Sequence, residues 1–144
     1  MLILGDPLSP AWRGRPPAML DDDVPVWFRF LDRYAQEYTE FFYNVRIGTP
    51  PNVPEHYEEQ YKKDIQYLGM KRIDAVGIKA DSTDIIEVAK IAGMRTLGQV
   101  RTYIDLWNFE KTTFPPSRAV IVSEIMDPDL ESTIRSLGII LYQV

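Results

Sequence analysis

The stretch Arg72-Ile73-Asp74-Ala75-Val76-Gly77, followed by Asp84-Ile85-Ile86-Glu87-Val88-Ala89-Lys90, decides how this chain folds. Both segments are apolar runs of strand length, and Ala80-Asp81-Ser82 between them is a turn short enough for an antiparallel hairpin. Strands are therefore predicted over 71–79 and 83–89. Each carries an acid inside its apolar run, Asp74 in the first and Glu87 thirteen residues later in the second. A carboxylate placed there gives up hydration unless something compensates it, and two on paired strands point to a divalent cation bound between them. Side chains alternate along a strand, so Glu87 and Ala89 share a face, as do Arg72, Asp74 and Val76, while Lys90 points the other way.

Outward from the hairpin, helices and further strands alternate. Asp21 to Asp23 followed by Pro25 is an acidic helix start, favourable to the helix dipole. Trp27, Phe30, Leu31, Tyr34, Tyr38 and Phe41 then recur at three- and four-residue steps, predicting a helix to about Glu40 with one buried face. Phe42 to Ile47 is a short strand, and Gly48-Thr49-Pro50-Pro51-Asn52-Val53-Pro54 is a loop. A polar helix is expected over 55–68, with Tyr57, Tyr61, Ile65 and Leu68 on one side and Gly69 closing it. The lone His56, with no Cys or second His near it, is an exposed side chain. A second major helix, 95–109, turns Leu97, Val100, Ile104 and Trp107 to the core, with Gln99 and Tyr103 one turn apart on an adjoining face. Ala119-Val120-Ile121-Val122 is a buried strand, Asp127-Pro128-Asp129 opens a helix that Gly138 ends, and 139–142 is the last strand. Strand, helix, strand in that order implies a parallel crossover, so the class is α/β: a single domain with a central mixed sheet of about five strands flanked by helices. The domain is placed at 24–144. Residues 1–23, rich in Pro and Gly and carrying Trp12, Arg13 and Arg15, read as an extended N-terminal arm that must pack on the domain or on a partner to be ordered.

At 144 residues with 45% hydrophobic content, the chain is one domain with a real core. Zero cysteines exclude disulfides and thiolate metal sites. No apolar run approaches a membrane span, and Pro7, Pro10, Pro16 and Pro17 leave no signal-peptide core in residues 1–20. A net charge of −5 opposes bulk binding of nucleic acid. Yet residues 60–101 carry eight Lys/Arg against five Asp/Glu, so the surroundings of Asp74 and Glu87 balance to +3 and the remainder to −8. A local basic surface there can hold a polyanion.

If the hairpin sets Asp74 beside Glu87, their oxygens and the Val88 carbonyl can hold Mg²⁺ or Mn²⁺ with several waters. Such a cation polarises a phosphoryl oxygen and activates water. The purely structural alternative is two strand-end carboxylates paired with Arg72 or Arg95.

The order of elements resembles the PD-(D/E)XK nuclease superfamily over roughly residues 26–143. Asp74 matches that family's first acid, Glu87-Val88-Ala89 its Glu-x-Lys stretch, and Gly98-Gln99-Val100-Arg101-Thr102-Tyr103 is similar to the Gln-x-x-x-Tyr helix motif of the RecB-like branch. The aromatic first helix and the Tyr43-Asn44-Val45-Arg46 strand also resemble small proteins of tailed bacteriophages. The resemblance implies Asp74 and Glu87 as metal ligands with the Val88 carbonyl, and Gln99 positioning water or substrate. It also shows a departure: Ala89 stands where the family has its lysine, removing a cation from the catalytic face. Lys90 replaces it only through a bulge that reverses its direction; Arg72 and Arg95 are the alternatives, and Arg95 is the preferred substitute. The expected function is a nuclease-fold virion component of a bacteriophage with a degenerate site, near the neck or tail, contacting other virion subunits or its own copies through the arm. The virion or the host cytoplasm is then its place. An active Mg²⁺-dependent DNA nuclease and a non-catalytic DNA-binding module are the two alternatives.

Overall fold

In the computed structural model, which describes all 144 residues, the chain forms one mixed sheet covered on both faces. In chain order the elements are β1 (Leu2–Ile3), α1 (Val24–Tyr34), β2 (Glu40–Ile47), α2 (Glu59–Gly69), β3 (Lys71–Ile78), β4 (Thr83–Ala92), α3 (Met94–Phe109), β5 (Ser117–Met126), α4 (Glu131–Ser136) and β6 (Ile140–Gln143). The strands lie in the order in which they occur. β1 to β4 pair antiparallel, and β4, β5 and β6 pair parallel through the α3 and α4 crossovers.

Alternation along the strands divides the apolar residues between two cores. Phe42, Val76, Ile85 and Ile121 face α3 and α4, where Val100, Ile104, Trp107 and Ile134 cover them. Phe41, Ala75, Ile86, Val88, Val120 and Val122 face α1. There Trp27 meets the edges of Phe41 and Tyr43 at centroid distances of 5.3 and 5.8 Å, and its indole N–H donates to the Tyr43 hydroxyl at 3.2 Å. Edge-on packing suits the ring quadrupoles, and the hydrogen bond satisfies the one polar atom the indole buries. Gly77 is required beneath this cluster, because a Cβ there would sit 2.6 Å from Tyr38 and 2.8 Å from Phe41.

Several boundaries differ from the sequence expectation. The first helix stops at Tyr34 and leaves through a 3₁₀ turn, Ala35–Glu37, so Tyr38 is buried from the exit and Phe41 from β2. The apolar spacing of three and four continued past the helix because both elements face the same core. α2 starts at Glu59, after a turn closed by Tyr57 N–H on the Pro54 carbonyl, and none of its residues is buried. It is held at its end: Arg46 donates to the carbonyls of Leu68 and Met70 and stacks on Tyr67. Residues 1–23 fold back on this domain. Leu2–Ile3 adds a sixth strand, Leu8 bridges to Phe41, Trp12 packs on Tyr43, and Met19 enters the α1 core.

The far end of the hairpin is fastened by Asp84, which is fully buried. Its carboxylate accepts two bonds from Arg118, at 2.8 and 2.9 Å, and one from the Tyr38 hydroxyl at 2.6 Å, with Lys79 at 3.8 Å. Burial and the Asp84 bond push the Tyr38 phenol far above its ordinary range, so it remains a donor. Replacing Arg118 with Ala leaves Asp84 buried with only Tyr38 and a distant Lys79. Since part of the Arg118 side chain is solvated, we expect a loss of about 2–4 kcal/mol in urea unfolding at neutral pH; a loss under about 0.5 kcal/mol, typical of a surface pair, would contradict this account.

Candidate functional site

The site forms where the sheet comes apart. The β3–β4 ladder ends at Ala75↔Ile86, one step short of Asp74 and Glu87, which therefore face each other where the strands part. On the other side of β3, the ladder to β2 skips Asn44, the position opposite Asp74, between Tyr43↔Ala75 and Val45↔Ile73. Asn44 has a positive φ of 52°, a conformation that short polar side chains tolerate. Simple alternation is reset there: Phe42 and Val45 enter the same core, as do Ile73 and Val76. Strand parity, which put Arg72, Asp74 and Val76 on one face, holds on the hairpin side of Asp74 and fails on the other.

Both acids are nearly dehydrated, with Asp74 8% and Glu87 7% exposed. Asp74 accepts the Val88 N–H at 3.0 Å, and the two acids lie close enough that the Asp74 charge acts on Glu87. Glu87 Oε2 is buried with no hydrogen-bond partner. The nearest cation is Arg72, 3.8 Å from Asp74. Burial is the largest influence on both groups and raises both pKa values. For Glu87 the Asp74 charge raises it further; for Asp74 the Val88 N–H and Arg72 oppose the rise. The pair thus retains a proton, chiefly on Glu87, at a pH where free carboxyls have lost theirs.

Around the pair lies a cleft of about 630 Å³, reached by β3, β4, the start of α3 and the segment before α1. Gln99 lines it from the first turns of α3, and its amide donates to the Tyr103 hydroxyl at 3.5 Å. Tyr103 is buried, and its phenol is raised first by that burial and next by the charge of Glu87. Arg95 lines the same cleft but is exposed and makes no ion pair; Arg72, not Arg95, is the cation at the acids. Ala89 is half-buried in the cleft wall, and Lys90 lines it as an exposed side chain.

Asp23 is the residue that sequence reasoning missed. It stands at the N-cap position of α1, yet its side chain makes no cap bond. Its Oδ1 instead accepts the Lys90 N–H at 2.8 Å, across on β4, and its charge acts on both Asp74 and Glu87. In the sequence, the Asp21–Asp23 run carried only a helix-start signal. The contact spans 67 positions and has no local trace.

A divalent cation fits the donor set in one respect that the structure itself supplies: a buried, partnerless carboxylate oxygen beside a second carboxylate. No group of three His, Cys, Asp or Glu side chains is arranged to hold a metal. Asp74, Glu87 and the Val88 carbonyl would be its protein ligands, with water supplying the remaining positions of a hard cation. Comparison with family models, curated proteins and solved structures finds no match to this chain.

The retained proton fixes the sign of the pH dependence. Because the folded pair binds a proton that the unfolded chain releases, stability falls as pH rises from the ordinary carboxylate range through neutrality, until the folded pair itself ionises. Glu87→Gln removes the titrating group that contributes most. Its melting temperature is expected to exceed that of the wild type at pH 8 and to match it near pH 4. Equal pH profiles for the two proteins would refute the shared-proton description.

Proposed function

We propose that this domain is a nuclease-fold protein that binds Mg²⁺ or Mn²⁺ at Asp74 and Glu87 and hydrolyses phosphodiester bonds of DNA. One observation carries the proposal: two carboxylates are buried side by side, with one oxygen unpartnered and no cation closer than Arg72. Burying such a pair costs stability that ordinary packing would avoid, and a bound cation offsets it. The helix, three antiparallel strands, helix and parallel strand around the site are the order that the PD-(D/E)XK resemblance implies, which supports the same conclusion.

When bound, the cation supplies a polarised phosphoryl oxygen and an activated water. The chain's own residues have separate tasks. Asp74, held by the Val88 N–H, and Glu87 present oxygens from strands whose backbones are fixed by β2 and β5. Gln99, anchored on Tyr103, offers its amide to water or to a phosphate oxygen. Arg72 provides the positive charge that the lysine would have given at Ala89, and the charge has moved from β4 to β3.

A second reading is favoured by Ala89 itself, which removes the family's lysine from β4, while Lys90 beside it on the cleft wall is exposed and makes no ion pair with the acids. On that reading the fold persists with a degenerate site in a phage virion component that docks on other subunits. The packing of residues 1–23 on their own sheet accounts for their order without a neighbour.

Incubation of the purified protein with linear and supercoiled DNA in Mg²⁺ or Mn²⁺ separates the two. Cleavage is expected for the wild type and none for the Asp74→Ala, Glu87→Ala double variant, while Arg72→Ala should slow cleavage about a hundredfold. An inactive wild type that is found in purified particles would support the second reading and end the first. Affinity for DNA that falls steeply with salt but ignores divalent cations would point to a binding module instead.

A further inference from the structure

β6 ends the sheet, and its outer side pairs with nothing. Val144 N–H donates to the Ser123 carbonyl, and alternation along the strand turns the amides of Ile140 and Tyr142 the same way, toward β5. The N–H and C=O groups of Leu141 and Gln143 therefore face outward, as does the Ile139 carbonyl; the Ile139 N–H is already used on the Ile134 carbonyl. Folded proteins guard such an edge with a lysine, a proline, a bulge or a very short strand. The opposite edge follows that rule, because β1 has only two residues. β6 does not. Residues 137–144, Leu-Gly-Ile-Ile-Leu-Tyr-Gln-Val, contain no charge and no proline, and the ladder on β5 runs unbroken from Ile140 to Gln143. On the α4 face of this edge lies a cavity of about 340 Å³ lined by Glu131, Ile134, Arg135, Ile139 and Leu141. On the other face, half-buried Tyr142 packs on Phe30 and Tyr34.

We propose that β6 pairs antiparallel with the β6 of a second copy of this chain, about a two-fold axis at Leu141, so that two sheets become one. In that register Leu141 N–H donates to the Leu141 carbonyl of the second copy and Gln143 N–H to its Ile139 carbonyl, and the reverse, which satisfies every outward N–H of the strand. The cross-strand neighbours are then Leu141 with Leu141 at the cavity and Ile140 with Tyr142 on the other face, apolar pairs throughout. Charge complementarity selects a second copy over an unrelated strand. The two-fold reverses α4 along with β6, so Glu131 in the first turn of one helix comes opposite Arg135 in the last turn of the other. Behind the edge, Glu124 is already paired with Arg29 at 2.9 Å, and the strand itself brings no like charges together. A short strand with its flanks covers less than the roughly 1,600 Å² of a standard interface, so the association is weak, on the order of micromolar. The surface is separate from the cation site and does not depend on the nuclease reading.

Sedimentation velocity of the full chain over roughly 1 to 500 µM tests this. The average mass should rise with concentration from that of the 16.7 kDa chain toward twice that value. Gln143→Pro, at an exposed edge position, removes an N–H the fold does not use; it should leave the melting temperature unchanged and weaken the dimer about tenfold. Glu131→Arg should weaken it about fivefold, and adding Arg135→Glu should restore it. Both residues are exposed, so this pair carries the test even if the proline lowers the melting temperature. Ile3→Lys, on the opposite edge, should change nothing. A chain that stays monomeric at the highest concentration would overturn the inference. So would a dimer that survives Gln143→Pro in a folded protein, one indifferent to Glu131→Arg, or one that Ile3→Lys dissolves.

Discussion

Dehydration of carboxylates on the central hairpin is the constraint around which this molecule is arranged. Three acids lie buried on β3 and β4, and the fold treats them in two ways. Asp84 has a full complement of partners in Arg118, Tyr38 and Lys79, which convert it into a fastening between β4, β5 and the exit of α1. At the other end, Asp74 has one backbone N–H and Arg72 at 3.8 Å, and Glu87 beside it has a buried oxygen with no partner. A buried charge left this poorly compensated retains a proton or acquires a cation. The contrast within one hairpin separates Asp84 from the Asp74–Glu87 pair better than their burial does, because all three are buried.

The opening of the sheet is what makes the poorly compensated pair accessible. At Asp74, β3 leaves its ladder to β4, and its ladder to β2 is interrupted for one position, at Asn44, before it resumes at Val45↔Ile73. The backbone irregularity and the break in pairing coincide, and the cleft lies at that break. β4 continues past it on β5 as far as Ala92, so Glu87, Val88 and Ala89 stay on a rigid support although their hairpin partner has left. α3 then starts within a residue or two of the end of β4 and carries Gln99, bonded to Tyr103, into the cleft that holds the acids. Rigid strands on one side and the first turns of a helix on the other give the site fixed geometry without a long loop.

Much of this was legible in the sequence for local reasons. The hairpin followed from two apolar runs around a short turn, and α3 from its apolar spacing and flanking residues. The sequence left the encounter of Asp74 with Glu87 conditional on hairpin register, and the pairing of Ala75 with Ile86 supplies that register. Errors arose where one physical signal served two structures. Tyr38 and Phe41 continued a helical period because a 3₁₀ exit and a strand happened to face the same core as α1. Tyr57 was placed on the helix that follows it, but α2 starts only at Glu59, and Tyr61 and Leu68 are exposed on it. Asp23 looked like a helix cap, and Leu2–Ile3 had too few residues to register as a strand.

Sequence alone determined the class of fold, the hairpin and the two acids set within its apolar runs, because alternation, turn length and the cost of burying charge are local rules that act within a few residues. The tertiary structure decided which cation stands at the acids, that Asp23 turns from α1 toward β4, that Asp84 is satisfied while Glu87 is not, and that residues 1–23 belong to the sheet. Those outcomes depend on side chains brought together across tens of residues, and the energy of a buried charge is set by such neighbours in space.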